Sequence, residues 1–242
     1  MLLYAHPFSS YCQKVLIALY ENGTPFEWRQ LGPDAAAVEA EFAALWPLKR
    51  MPLLVDRGRR VMESTVIVEY LDLEHPGAVR FLPRDPRAAL QARMLDRFFD
   101  NYVMTPLQRI VFDAIRAPEQ RHPPTVAEAH ALLETAYDWL ERHFATTAHA
   151  DDGTIATLGA GRDESGGASA SAREWAAGEF GLADCAAAPA LFYSDWVHEI
   201  GAARPNLAAY RRRLLARPSF ARAVDEARPF RAWFPPGAPD RD

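Results

Sequence analysis

Strand-like alternation stops early in this 242-residue chain, and that asymmetry limits its fold more than any other feature of the sequence. Leu2-Leu3-Tyr4-Ala5 is a short apolar run that reads as a buried strand, and Pro7 interrupts it. From Tyr11 to Tyr20 the apolar Val15, Leu16, Ala18 and Leu19 recur at helical spacing until Asn22-Gly23 stops the helix. Phe26-Glu27-Trp28 alternates as a second strand, and the Ala- and Glu-rich run from Ala35 to Trp46 predicts a helix. Pro52-Leu53-Leu54-Val55 and Arg60-Val61-Met62 flank Asp56-Arg57-Gly58-Arg59, the pattern of a hairpin. Ser64 is expected to cap a third helix that carries Val66, Ile67, Tyr70 and Leu71. The order β-α-β-α-β-β-α predicts one small mixed sheet with helices packed on it.

His75-Pro76-Gly77 and Leu82-Pro83-Arg84-Asp85-Pro86 break this pattern, which divides the chain into a domain over residues 1–76, a linker over 77–86 and a second domain over 87–242. The second domain shows no strand-like alternation and is expected to be all-helical. Leu95, Phe98, Phe99 and Tyr102 form one apolar stripe, with Pro106 expected to bend or end that helix. Leu133, Ala136, Leu140 and Phe144 form another, and three shorter helices are expected over 182–200, 206–216 and 218–228, with Pro205 and Pro218 at their starts. A glycine- and serine-rich stretch at 146–173 fits neither pattern and reads as a flexible insertion between two helices.

Composition removes several function classes. The formal charge of −5 argues against general nucleic-acid binding, so Arg211-Arg212-Arg213 reads as a solvated helix face. No apolar run approaches the ~20 residues of a membrane-spanning helix, and Met1 to Pro7 lacks the basic and apolar regions of a secretory signal. The only cysteines, Cys12 and Cys185, exclude a disulfide framework, so a cytoplasmic location is expected. No pair of the seven histidines makes a metal-ligand spacing with Cys or carboxylates, so no metal is expected.

Three short constellations carry candidate chemistry. In His6-Pro7-Phe8-Ser9-Ser10-Tyr11-Cys12 a strand ends and a helix begins at Ser9 or Ser10. The serines can serve as caps alone, or the helix end can hold a thiolate. Cys12, one turn into the helix, reads by itself as a small packing residue. In Arg50-Met51-Pro52-Leu53 the proline is either an ordinary edge proline or half of a cis Met51-Pro52 bond. The cis form would turn the Met51 backbone outward toward a peptide-like ligand. In Glu63-Ser64 the serine can cap alone, or the helix start and Ser64 can receive a carboxylate while Glu63 pairs with an ammonium group, as a γ-glutamyl head would require.

Taken in this order and spacing, Tyr4 through Leu19, Met51-Pro52, Glu63-Ser64 with Ile67 and Tyr70-Leu71, and Phe180-Gly181-Leu182-Ala183-Asp184-Cys185-Ala186 resemble the glutathione S-transferase superfamily over nearly the whole chain. The resemblance implies a thioredoxin-like N-terminal domain (α/β, βαβαββα) followed by an all-helical C-terminal domain. It implies glutathione as co-substrate, a homodimer, and a detoxifying transferase that activates the glutathione thiolate for attack on an apolar electrophile. Its helix register, counted back six residues from Val15, puts Ser9 at the position of the first redox cysteine of thioredoxin-like relatives and Cys12 at the second, the serine-type, zeta-like pattern. Ser9, Ser10 and Cys12 are thereby the catalytic candidates, with Tyr11 a minor one and Tyr4 expected in the core. Arg50, Met51, Pro52, Glu63 and Ser64 are the glutathione-binding candidates, and Phe8 and Tyr102 the electrophile-site candidates. Asp184 is implied to be structural, at a helix start where Gly181 replaces the family's usual Ser or Thr. Two alternatives stay open: a glutathione-dependent thiol oxidoreductase or isomerase using Cys12 or Ser9, and a binding module without turnover.

Overall fold

The structure, a computed structural model, describes residues 1–145 and 173–242. All but residue 173 of the stretch read as an insertion lies outside them. The chain forms two compact units. The first joins Met1–Leu82 to Arg217–Arg231, and the second joins Pro83–Ala216 to Ala232–Asp242.

In the first unit, β1 (Leu2–Ala5), α1 (Ser10–Glu21), β2 (Glu27–Gln30), α2 (Ala36–Leu45), β3 (Leu53–Asp56), β4 (Arg59–Met62) and α3 (Ser64–Glu74) follow one another in the predicted order. The sheet runs β2-β1-β3-β4, with β1 and β2 parallel and the other pairs antiparallel. The hairpin turn between β3 and β4 places Arg57 and Gly58 at φ of 49° and 77°, the two left-handed positions of a primed two-residue turn. Asp56 locks that end of the sheet, because its Oδ2 accepts from Tyr70 Oη at 3.0 Å and meets His75 Nε2 at 2.7 Å. On one side Tyr4, Leu31, Phe42 and Leu53 form a core cluster into which Val38, Leu45, Trp46 and Met62 pack. The helix α1 is apolar nearly all round, buried from Cys12 to Leu19, because it has neighbours on more than one face. One of those neighbours is α3, and another comes from the far end of the chain.

That other neighbour is α9 (Pro218–Ala227), which the sequence reading assigned to the helical domain. It buries Phe220, Ala223, Val224 and Ala227 within the first unit. Polar bonds fix it there: Arg217 makes two bonds to the Glu21 carboxylate, both 2.6 Å, and Ser219 Oγ donates to the same group. Tyr20 Oη donates to Glu226 at 2.5 Å, and Arg222 lies over the Tyr20 ring, 3.9 Å from its centroid. A linear reading cannot place these residues, since the pairs are about 200 positions apart.

The second unit is helical: α4 (Pro86–Phe98), α5 (Thr105–Ile115), α6 (Pro123–Ala145), α7 (Leu182–Val197) and α8 (Pro205–Leu215). Pro106, expected to bend or end its helix, does not end it. Residues Phe99–Met104 form a π-type turn, which shifts the hydrogen-bond register just before the proline, and Thr105 Oγ1 donates back to the Asp100 carbonyl at 3.1 Å. The apolar stripe is also less buried than its spacing suggests: Leu95 and Phe99 are in the core, whereas Tyr102 is more than half exposed. Asp184, fully buried at the start of α7, accepts from the Ala176 amide (2.9 Å), the Gly181 amide (3.0 Å) and Tyr210 Oη (2.6 Å). Gly181 thus supplies a backbone donor where a capping hydroxyl is missing. Among the described residues no helix is long and apolar enough to cross a membrane.

Candidate functional site

Sheet register brings the three constellations to one edge. Tyr4 of β1 pairs with Leu53 of β3, which pairs with Met62 of β4. Each member of that row adjoins a candidate segment: Tyr4 is followed by His6 to Ser10, Leu53 is preceded by Met51-Pro52, and Met62 is followed by Glu63-Ser64. Antiparallel pairing of β3 with both neighbours makes this possible, because the start of β3 then lies beside the ends of β1 and β4.

Four hydrogen bonds shape the loop between β1 and α1. The Ser9 amide donates to the His6 carbonyl at 3.0 Å, and the Phe8 amide donates to His6 Nδ1 at 3.1 Å. Gln13 Nε2 donates to the Pro7 carbonyl at 3.0 Å, and the Gln13 amide to the Ser9 carbonyl at 2.9 Å. Ser9 is the N-cap, extended at φ −88° and ψ 122°, and its Oγ accepts from the Cys12 amide at 3.4 Å. The capping role is therefore filled, and the hydroxyl still carries a hydrogen to donate. Ser9 and Ser10 are half-buried, so a ligand can reach them.

Cys12 points the other way chemically. It has no exposed surface, and burial pushes its thiol up to about 11, offset only in part by the Ser9 hydroxyl and the His6 backbone. It is a protonated packing thiol at neutral pH. Tyr4 is equally unsuited as a donor: it is fully buried, stacks on Phe42 at 6.0 Å, and burial pushes its hydroxyl up to about 12. Tyr11 is half-buried in the first turn of α1.

The Met51-Pro52 bond is cis, with Pro52 buried and Arg50 and Met51 exposed. Ser64 does not cap α3 as expected. Glu63 occupies the cap position at φ 68°, a left-handed entry into the helix, and Ser64 is the first helical residue. Glu63 caps nothing with its side chain, and among the described residues the buried Ser64 hydroxyl has no hydrogen-bond partner. The buried Ser64 hydroxyl and the exposed Glu63 side chain thus lie side by side at the start of α3, an end of the helix that favours negative charge.

Two contributors escaped the sequence reading. Lys14, buried in α1, donates from Nζ to Thr65 Oγ1 at 2.8 Å and so ties the start of α1 to the start of α3. Its signal was faint: it is one of only two lysines in a chain that otherwise uses arginine, set beside Val15 and Leu16. His6, whose Nδ1 accepts the Phe8 amide, packs edge-on against Phe230 at 4.5 Å, and burial pushes its ring below 6.5. Phe8 is half-buried in the first unit, and Tyr102 lies in the second, its ring 5.2 Å from that of Phe98. Among the described residues no three His, Cys, Asp or Glu side chains converge on a metal position.

A four-stranded mixed sheet with a serine-capped helix at its edge, joined to a helical unit, defines a thioredoxin-like fold with an appended all-α region. Residues 3–78 match the family described as glutathione S-transferase, N-terminal domain. A solved glutathione S-transferase from Methylobacterium radiotolerans, in complex with glutathione sulfonate, is 30% identical with a TM-score of 0.70, covering 92% of this chain and 93% of its own. The chain belongs to the glutathione S-transferase family. Among curated relatives, glutathione S-transferase U10 of Arabidopsis thaliana is 28% identical over 60% of this chain, and the match spans only 60% of that protein's length. A stringent starvation protein A homolog from Haemophilus influenzae is 26% identical over 95% of this chain and 92% of its own.

Proposed function

We propose that this chain is a serine-type glutathione transferase. Glutathione sits along the sheet edge, with its γ-glutamyl carboxylate on the α3 amides and the Ser64 hydroxyl and its ammonium group on Glu63. Its backbone pairs with the main chain of Met51, flanked by Arg50 and Pro52. Ser9 donates its hydroxyl hydrogen to the sulfur, and Ser10, one residue further into α1, assists. The thiolate forms a bond to an electrophilic carbon, which releases its leaving group with the bonding pair. Phe8, in the first unit, provides apolar surface for that electrophile, and the active form is a cytosolic homodimer. The observation that carries this reading is the Tyr4–Leu53–Met62 row, which gathers all three constellations at one end of the sheet.

The magnitudes close. Lowering a thiol from near 8.5 by two pH units needs ~2.7 kcal/mol. A hydrogen bond to a charged group contributes ~1.5–3 kcal/mol and a helix N-terminus ~0.3–1 kcal/mol. Ser9→Ala is therefore expected to cut turnover about ten- to a hundredfold and to raise the thiol titration midpoint of bound glutathione, followed by thiolate absorbance. Unchanged turnover and an unchanged midpoint would remove Ser9 from the mechanism.

The burial of Cys12 weighs against thiol–disulfide chemistry. The second reading is a binding module without turnover. Calorimetry separates them, since a transferase must bind glutathione and turn over a nitroaryl halide.

A further inference from the structure

Two histidines separated by 68 positions meet in the helical unit, a separation at which no ligand spacing shows in a sequence. His130 lies on α6 and His198 follows the last residue of α7, and their Nδ1 atoms are 3.1 Å apart. Their ring planes are inclined by 42° with centroids 5.2 Å apart, so the rings meet by their nitrogens and do not stack. On its far side His198 Nε2 lies 2.7 Å from Glu134 Oε2. Arg204 holds the other oxygen of Glu134 and reaches Asp138 Oδ1 at 2.8 Å. Tyr137 Oη, 3.2 Å from the His198 carbonyl, holds the backbone there.

This arrangement fixes the tautomers. His198 and Arg204 hold the Glu134 carboxyl below its ordinary value, so it is ionised and can only accept hydrogen bonds. His198 Nε2 therefore points its hydrogen at Glu134, which leaves Nδ1 as the ring nitrogen that faces His130. Burial and the neighbouring His198 push the His130 ring below its ordinary value. Without an ion, a single hydrogen lies between the two Nδ1 atoms.

We propose that His130 and His198 chelate one divalent ion of the zinc class through their Nδ1 atoms. An ion about 2.0–2.1 Å from each of two imidazole nitrogens, at a ligand angle between square and tetrahedral, separates them by about 2.9–3.4 Å. The observed 3.1 Å lies within that span. Glu134 stands where an outer carboxylate stands in such sites, donated to by the ring nitrogen that does not bind the ion. Both rings are only partly buried, so water completes the coordination. The ion replaces the shared hydrogen, which moves to Nε2 of the His130 ring, so the pair loses no net proton. The bound ion ties the middle of α6 to the end of α7.

The untagged full chain, freed of metal with a chelator, is titrated with zinc chloride by calorimetry in two buffers of different ionisation enthalpy. One equivalent is expected to bind with little dependence of the heat on buffer, since no net proton leaves the two rings. His130→Gln and His198→Gln should each weaken binding at least tenfold with unchanged helical circular dichroism, and Glu134→Gln by about ten- to a hundredfold. The proposal is overturned if zinc in tenfold excess does not bind, as a pair that only shares a proton would behave. It is overturned too if both histidine variants bind zinc as the parent does, which would place the ion elsewhere. Should one histidine variant unfold, zinc-edge absorption of the parent protein decides: two imidazole nitrogens support the site, and fewer than two sink it.

Discussion

At the scale of single residues, the same serine hydroxyl answers two needs. Ser9 Oγ accepts the Cys12 amide and keeps a hydrogen for a sulfur, so the cap and the proposed catalytic donor need no division of labour. Cys12 shows the opposite outcome: three positions on, the chain turns the thiol into the core. Iodoacetamide at mildly alkaline pH is expected to label neither Cys12 nor Cys185 in the native protein and both after denaturation, as read by mass spectrometry. His6 titrates with a definite sign. Its folded value lies below 6.5, so the stability it gives is complete above that pH and fades as pH falls through the lower folded value. Protonation at Nδ1 removes the acceptor of the Phe8 amide. Imidazole resonances followed by NMR should place the His6 midpoint below 6.5, with the Phe8 amide shifting at the same midpoint.

At the scale of elements, two buried carboxylates hold helix ends. Asp184 satisfies the Ala176 and Gly181 amides and the Tyr210 hydroxyl together. Asp184→Ala strands all three, and a loss of about 3 kcal/mol or more is expected in the midpoint of urea unfolding. Glu21 plays the same part between α1 and α9. Arg217→Ala should cost roughly 2 kcal/mol and, more tellingly, speed amide exchange in α9 while leaving that of α7 unchanged. Element order and the hairpin were legible in the sequence because apolar spacing and turn residues are local signals: Arg57-Gly58 announces its own turn. The cap of α3 was not legible, because the left-handed turn at Glu63 follows from how β4 delivers the chain into the helix. The π-type turn before Pro106 escaped for a related reason. A proline forbids one bond pattern without saying which other replaces it.

At the scale of the whole molecule, the site candidates could be named from order alone, but only the pairing of β3 with both β1 and β4 shows why they belong together. Lys14 and Arg217 stayed hidden because their partners lie 51 and 196 positions away. If glutathione binds the folded chain alone, a concentration of one hundred times its dissociation constant adds ~2.7 kcal/mol, which for a chain of this size raises the melting midpoint by about 5–10 °C. Ser64→Ala should shrink that shift, since the free hydroxyl next to the α3 amides is part of the grip. Differential scanning fluorimetry reads both.

Because α9 is built from residues 218–227 and packs on α1, the first unit is assembled from two segments far apart in the sequence. A ribosome that has finished the sheet at Met62 still has to make some hundred and fifty more residues before the segment that covers α1, Pro218–Ala227, is translated. Until then the growing chain carries an apolar helix face open to water, and closure of the unit waits for that distant segment. A nascent chain halted after residue 216 would present that face to chaperones, whereas one released whole would not.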